Sequence, residues 1–105
     1  MSVEINVTGE VVTAYLKGEI DHHSASEIRQ TIDSAVELNM PSLLVLDFSA
    51  VSFMDSSGVG LILGRAELCE EIGSRIRLKG MSSAVMKIVR LSGVEKIKNL
   101  SISDV

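Results

Sequence analysis

The sequence predicts an α/β fold, a mixed β-sheet of four to five strands packed with about three to four helices. Three observations carry this expectation. Two segments near the N-terminus are strand-like, the first alternating apolar and polar residues with period two. Three later segments repeat apolar residues every three to four positions, the period of a helix with one buried face. Between them runs "LLVLDF", apolar at both parities from Leu43 to Leu46, as expected of a central strand covered on both faces.

The first strand is "VEINVT", in which Val3, Ile5 and Val7 alternate with Glu4, Asn6 and Thr8. "TGE" then turns the chain into the β-rich "VVTAYLKG", and so short a link makes an antiparallel hairpin. "SASEIRQTIDSAVELN" places Ile28, Ile32 and Val36 on one helical face, with Ala25 and Ala35 alongside. Ser24 and Glu27 fit a capping box at its start, and Asn39 with Pro41 fits its stop. "SFMDSSGVG" reads as a loop opening a second helix near Asp55 to Gly58, which carries Leu61, Ile62, Leu68, Cys69 and Ile72 and stops at Gly73. "RIRLKG" alternates again, with Ile76 and Leu78 inward. "SSAVMKIVRLSG" has serines in front, Val85, Ile88, Val89 and Leu91 on one face, and Gly93 behind. The tail offers Ile97, Leu100 and Ile102 to a short strand or a docked irregular end. This order, β-β-α-β-α-β-α, implies helices packed on a mixed sheet, in a single layer or a loosely two-sided arrangement.

With 105 residues the chain is expected to form one domain, 1–105. At 46% apolar and 23% charged it is globular, and with only Tyr15, Phe48 and Phe53 as aromatics its core must be aliphatic. A net charge of −4 argues against direct nucleic-acid or anionic-membrane partners, since phosphate neutralisation drives such binding. Cys69 is the only cysteine, which excludes an internal disulfide and a two-cysteine metal site and fits a reducing compartment. "MSVEINVTGE" lacks the features of a secretory leader, and no segment approaches the roughly 20 apolar residues of a membrane helix. A cytoplasmic location is expected, and no motif requires a cofactor.

Asp55, Ser56 and Ser57 stand where a strand feeds a helix, a place at which α/β sheets expose functional groups. Capping alone explains short polar side chains there. It does not explain Gly58, Gly60 and Gly64, each of which costs a helix about 0.8 to 1 kcal/mol relative to alanine. Their missing side chains permit close packing on the sheet or close approach by a partner, and leave the serine hydroxyls reachable. A reachable serine at a helix start suits a phosphoryl switch, because the added group brings about −1.5 to −2 charges that the helix N–H groups can accommodate.

"LLVLDFSAVSFMDSSGVGLILG" resembles the hallmark of STAS domains, and specifically of the bacterial anti-anti-sigma factors, or anti-sigma factor antagonists. "LKGEIDHHSASEIRQTI" is similar to that family's acidic turn and first helix, and "VMKIVRLSGVEKI" to its third helix and exit, so the likeness spans roughly Val3 to Ile102. Many relatives carry a further helix beyond that exit. The resemblance implies partner switching. The unphosphorylated protein binds an anti-sigma factor that is also a serine kinase and frees the sigma factor; the kinase phosphorylates the antagonist and breaks the complex; a serine phosphatase restores it. The protein is then a substrate of enzymes and not an enzyme. The family motif puts the phosphorylated residue at Ser57, with Ser56 as fallback, while the residues by themselves do not choose between the two. Asp55 becomes the capping or kinase-orienting acid and Gly58 the point of partner approach. Asp21 and His22, with Met54, Gly60 and Arg65, complete the expected partner surface.

Other constellations are weaker. Asp21, His22 and His23 lack a third metal ligand at a recognised spacing. Ser57 as a nucleophile with His22 or His23 as base lacks the G-x-S-x-G elbow, and "GVGLILG" lacks the Lys-Ser/Thr of a phosphate-binding loop. Arg75, Arg77 and Lys79 read as a solvated sheet edge that discourages strand addition. Arg65 is a cation within two turns of Ser57 that could meet a phosphate or a partner acid, and Met54 an exposed apolar contact. The rival function is a non-enzymatic STAS module of a stress-signalling scaffold or transport system; a neighbouring gene for an anti-sigma-type kinase discriminates the two.

Overall fold

The computed structural model describes residues 3–103. Val3–Thr8 (β1) and Val11–Ile20 (β2) form the expected antiparallel hairpin, closed by Thr8 opposite Val11. Ala25–Asn39 (α1) then leads to Leu43–Met54 (β3), and Ser56–Glu71 (α2) to Arg75–Lys79 (β4). Ser83–Ser92 (α3) leads through a single 3-10 turn, Val94–Lys96, to Leu100–Ile102 (β5), the short strand among the alternatives expected there. The sheet order follows the chain, β1-β2-β3-β4-β5, antiparallel at β1 and parallel elsewhere. Three successive crossovers therefore step the same way, and because such crossovers are right-handed the three helices fall on one face.

The core lies between that face and the helices. Val12, Leu44, Ile76 and Leu100 are register partners across four strands, and Ala14, Leu46 and Leu78 form the next row. They join Ile28, Ile32 and Val36 of α1, Leu61, Ile62, Ala66 and Cys69 of α2, and Val85 and Val89 of α3 in one cluster. Each such aliphatic side chain contributes about 1.5 to 3 kcal/mol on burial. Gly93, left-handed at φ 79°, closes α3 as expected. Met40 takes the left-handed turn after α1, just ahead of Pro41.

β3 is buried at both parities from Leu44 to Phe48, as expected, although helices cover only one face; Val45 is buried on the other, in register with Thr13 and Arg77. Three expectations need correction. β4 is not an edge, since β3 and β5 flank it; Arg75 and Arg77 are exposed on the helix-free face, and Lys79 stands 4.0 Å from Asp47. "SAVSFM" is strand and not loop, so only Asp55 separates β3 from α2. The Ser24–Glu27 capping box does not form. Ser24 is already in the helical region, its hydroxyl donates to the Glu19 carbonyl at 2.9 Å, and the Asp21 carboxylate accepts the N–H groups of His23 and Ser24 at 2.9 and 3.1 Å.

One feature of the sheet positions the site. β4 pairs with β3 only from Leu43 to Asp47, whereas β2 follows β3 to the pair Ile20 and Met54, with register shifts on the way. A two-stranded ribbon thus runs past the rest of the sheet, and both its strands turn into helices at aspartates.

Candidate functional site

Asp21 and Asp55 sit side by side at the end of this ribbon, joined by the Asp55 N–H donating to the Ile20 carbonyl at 3.1 Å. Asp55 is the N-cap of α2, its carboxylate accepting the Ser57 N–H at 2.8 Å, while its carbonyl accepts the Gly58 N–H at 3.0 Å. The Ser24 N–H, above all, holds the Asp21 carboxyl below its ordinary value; partial burial opposes this, and the His23 N–H and both imidazoles add to it. His22 and His23 are exposed, their rings 3.9 Å apart, and His23 also lies 3.9 Å from Asp21.

From this corner an open groove of about 440 Å³ runs between α1 and α2. Ser57, Gly60, Leu61, Gly64 and Arg65 line it from α2, and His22, Ala25, Ser26 and Arg29 from α1 and its approach. Ser57 is half-buried on this wall; Ser56 is exposed. His22 and Ser57 share the groove, yet no hydrogen bond joins them. Among the described residues no cluster of three metal-ligating side chains occurs.

The three glycines divide. A Cβ at Gly58 would stand 2.3 Å from both Cγ and Sδ of Met54, so this glycine is buried against Met54 and makes room for it in the core. Met54 is only 3% exposed, and the expectation of an apolar contact there is withdrawn. Gly60 and Gly64 would place a Cβ in open space, and both line the groove. The groove stays open at both positions because neither carries a side chain.

Arg65 is likewise corrected. It is only 6% exposed, with Nε 2.8 Å from Oδ1 of Asp33 on α1, which ties the two walls together. Burial lowers its affinity for the proton, Asp33 opposes that, and Arg29 reinforces it. Arg65 is therefore committed to Asp33, while Arg29, exposed on α1 and close enough to repel Arg65, has no ion-pair partner among the described residues. Reading the sequence alone missed Arg29 and Asp33; their spacing of four on α1 puts both on the side that faces α2. Burial pushes the Cys69 thiol up to about 11, so it is not a nucleophile at neutral pH.

A one-faced sheet with chain-order strands, and a Ser-Ser-Gly helix opening at the end of its central ribbon, define a STAS domain, and the chain belongs to that family, whose pattern it matches over residues 2–103. Among individual proteins it is 39% identical, over 88 residues, to an anti-sigma F factor antagonist of Lysinibacillus sphaericus, covering 84% of this chain and 75% of that one. It is also similar to the solved structure of the anti-sigma factor antagonist SpoIIAA in its unphosphorylated form, with a TM-score of 0.81 and 35% identity over 97% of this chain and 88% of the other. The phosphorylated form of the Bacillus cell fate determinant SpoIIAA matches with a TM-score of 0.74 and 34% identity, over 97% and 91%. No helix among the described residues is long and apolar enough to cross a membrane.

Proposed function

We propose that this chain is an anti-sigma factor antagonist that acts by partner switching in the cytoplasm, with Ser57 as its phosphorylated residue. The unmodified protein docks on an anti-sigma factor serine kinase through the ribbon end, using Asp21, His22, Asp55, Ser56, Ser57 and Gly60, and the bound sigma factor is released. The observation that carries this reading is the position of Ser57. It lines an open groove kept clear by Gly60 and Gly64, two residues beyond a cap that fixes the backbone.

The kinase transfers the γ-phosphoryl group of ATP to Oγ of Ser57. The new P–Oγ bond forms as the bond from phosphorus to the β,γ-bridging oxygen breaks, the hydroxyl proton passes to a base of the kinase, and ADP leaves. A serine phosphatase reverses the state by delivering water to phosphorus, so that inorganic phosphate departs and Oγ regains its proton. The chain itself is a binding protein and a substrate. Two added charges about 6 Å from one acid of the partner raise the energy of the complex by roughly 3 to 5 kcal/mol at effective dielectrics of 20 to 40. Salt trims this, and a loss of about a hundredfold in affinity remains.

The test is incubation with an anti-sigma factor serine kinase and ATP, followed by mass-spectrometric mapping. A single phosphate on Ser57, absent from Ser57→Ala although that variant still binds, is the expected result. Modification at Ser56, or none, overturns the assignment.

A further inference from the structure

A phosphate on Ser57 needs a counter-charge, and the helix start has little left to give. Two of the first N–H groups of α2 are already taken: Ser57 N–H donates to the Asp55 carboxylate and Gly58 N–H to the Asp55 carbonyl. The Asp55 carboxylate is itself an anion beside Ser57 and favours an outward course for the phosphate. Outward from Ser57 is the groove, and its floor at Gly60 and Gly64 carries no side chain to block that course.

Both walls bring an arginine to this groove, Arg65 from α2 and Arg29 from α1. Arg65 is held by Asp33 at 2.8 Å, which leaves Arg29 as the positive charge in excess, and Arg29 lines the same groove as Ser57. His22 also lines it and adds a second positive charge when protonated. We propose that Arg29 is the phosphate-receiving residue of this chain: phosphoserine 57 folds across the groove onto the Arg29 guanidinium and closes the cleft between α1 and α2. Guanidinium suits this task because its fork of N–H donors matches two phosphate oxygens. Modification then acts twice, by placing negative charge on the docking surface and by filling the groove and occupying the cation that an acidic side chain of the partner would otherwise reach.

This inference rests on Ser57 as the modified residue, and its test involves neither kinase nor sigma-factor partner. Phosphoserine is installed at position 57 during translation, and the second ionisation of the phosphate is followed by phosphorus NMR from about pH 4 to about pH 8, about two either side of the usual value near 6. The other charged groups around the phosphate, His22 and Arg65 in the groove, Asp55 at the cap and Asp33 bound to Arg65, are common to every chain compared, so a difference between chains reports Arg29. Arg29→Gln is expected to raise this ionisation by about 0.5 to 1, and Arg29→Lys to restore most of the difference. Identical titrations in wild type and Arg29→Gln overturn the proposal. In the unsubstituted protein, the Arg29 Nε–H signal is expected to shift on phosphorylation while that of Arg77, on the helix-free face, stays in place; an unmoved Arg29 signal equally overturns it. Either result leaves the effect of phosphorylation on kinase binding to be read separately.

Discussion

The two helix openings at the end of the ribbon are built alike, but the helices they start differ along their outer faces. Each begins with an aspartate after a parallel strand, and each carboxylate accepts backbone N–H groups of the turn it starts. α1 then continues with Ala25, Ile28 and Arg29, side chains that pack or project. α2 continues with two hydroxyls and a run of glycines, one filled from beneath by Met54 and two left open to the groove. Asp55 caps α2 and Asp21 holds the turn ahead of α1, so backbone hydrogen bonding accounts for the acid in both. What distinguishes α2 is the empty space beside it, which the helix maintains against its own propensity.

That contrast can be broken most strongly at Ser57. Ser57→Asp is expected to weaken kinase binding up to about a hundredfold, near 2.7 kcal/mol, read by titration calorimetry, and wild-type affinity in this variant counts against an electrostatic switch. Next is the filled glycine. Gly58→Val forces Met54 out of its place and is expected to cost about 1 to 3 kcal/mol in urea unfolding. Asp55→Ala removes the α2 cap, for a loss of about 1 kcal/mol. The open glycines should behave in the opposite sense. Gly60→Ala and Gly64→Ala each stabilise the fold by up to about 0.8 to 1 kcal/mol and weaken partner binding, so a destabilised Gly60→Ala would place that glycine with Gly58.

The smallest effect belongs to Asp21. Its carboxyl is held below the ordinary 3.8, so the folded state favours the charged form. The stability this gives is present above the unfolded-state value and is lost as pH falls through the folded one. Asp21→Asn should therefore melt below wild type at pH 7, with the gap closing as the pH is taken below about 4.

Much of this architecture is legible residue by residue. The hairpin, the apolar stripes of α1 and α3, and the inward Ile76 and Leu78 follow from periodicity, and crossover handedness decides the single layer of helices. β3 is harder to delimit because its later burial, at Val51 and Met54, has a spacing of three, produced by register shifts against β2. A strand with such spacing does not alternate and so imitates a loop. Met54 and Arg65 stand beside the polar motif in sequence, but their burial is set by groups elsewhere: the absent Cβ of Gly58 and the carboxylate of Asp33. Two neighbouring residues able to cap α1, Asp21 and Ser24, also look alike until Glu19 claims the Ser24 hydroxyl. The serines, the capping acid and the need for open glycines are readable; the cation across the groove is not, because no local pattern pairs α1 with α2.

The most direct test is a side-by-side measurement of kinase affinity and thermal unfolding for the Ser57-phosphorylated and unmodified chains. A surface switch on an unchanged core predicts affinity lower by about a hundredfold with the melting temperature nearly unmoved. Undiminished affinity, or a loss of binding that tracks a collapse in melting temperature, would contradict it.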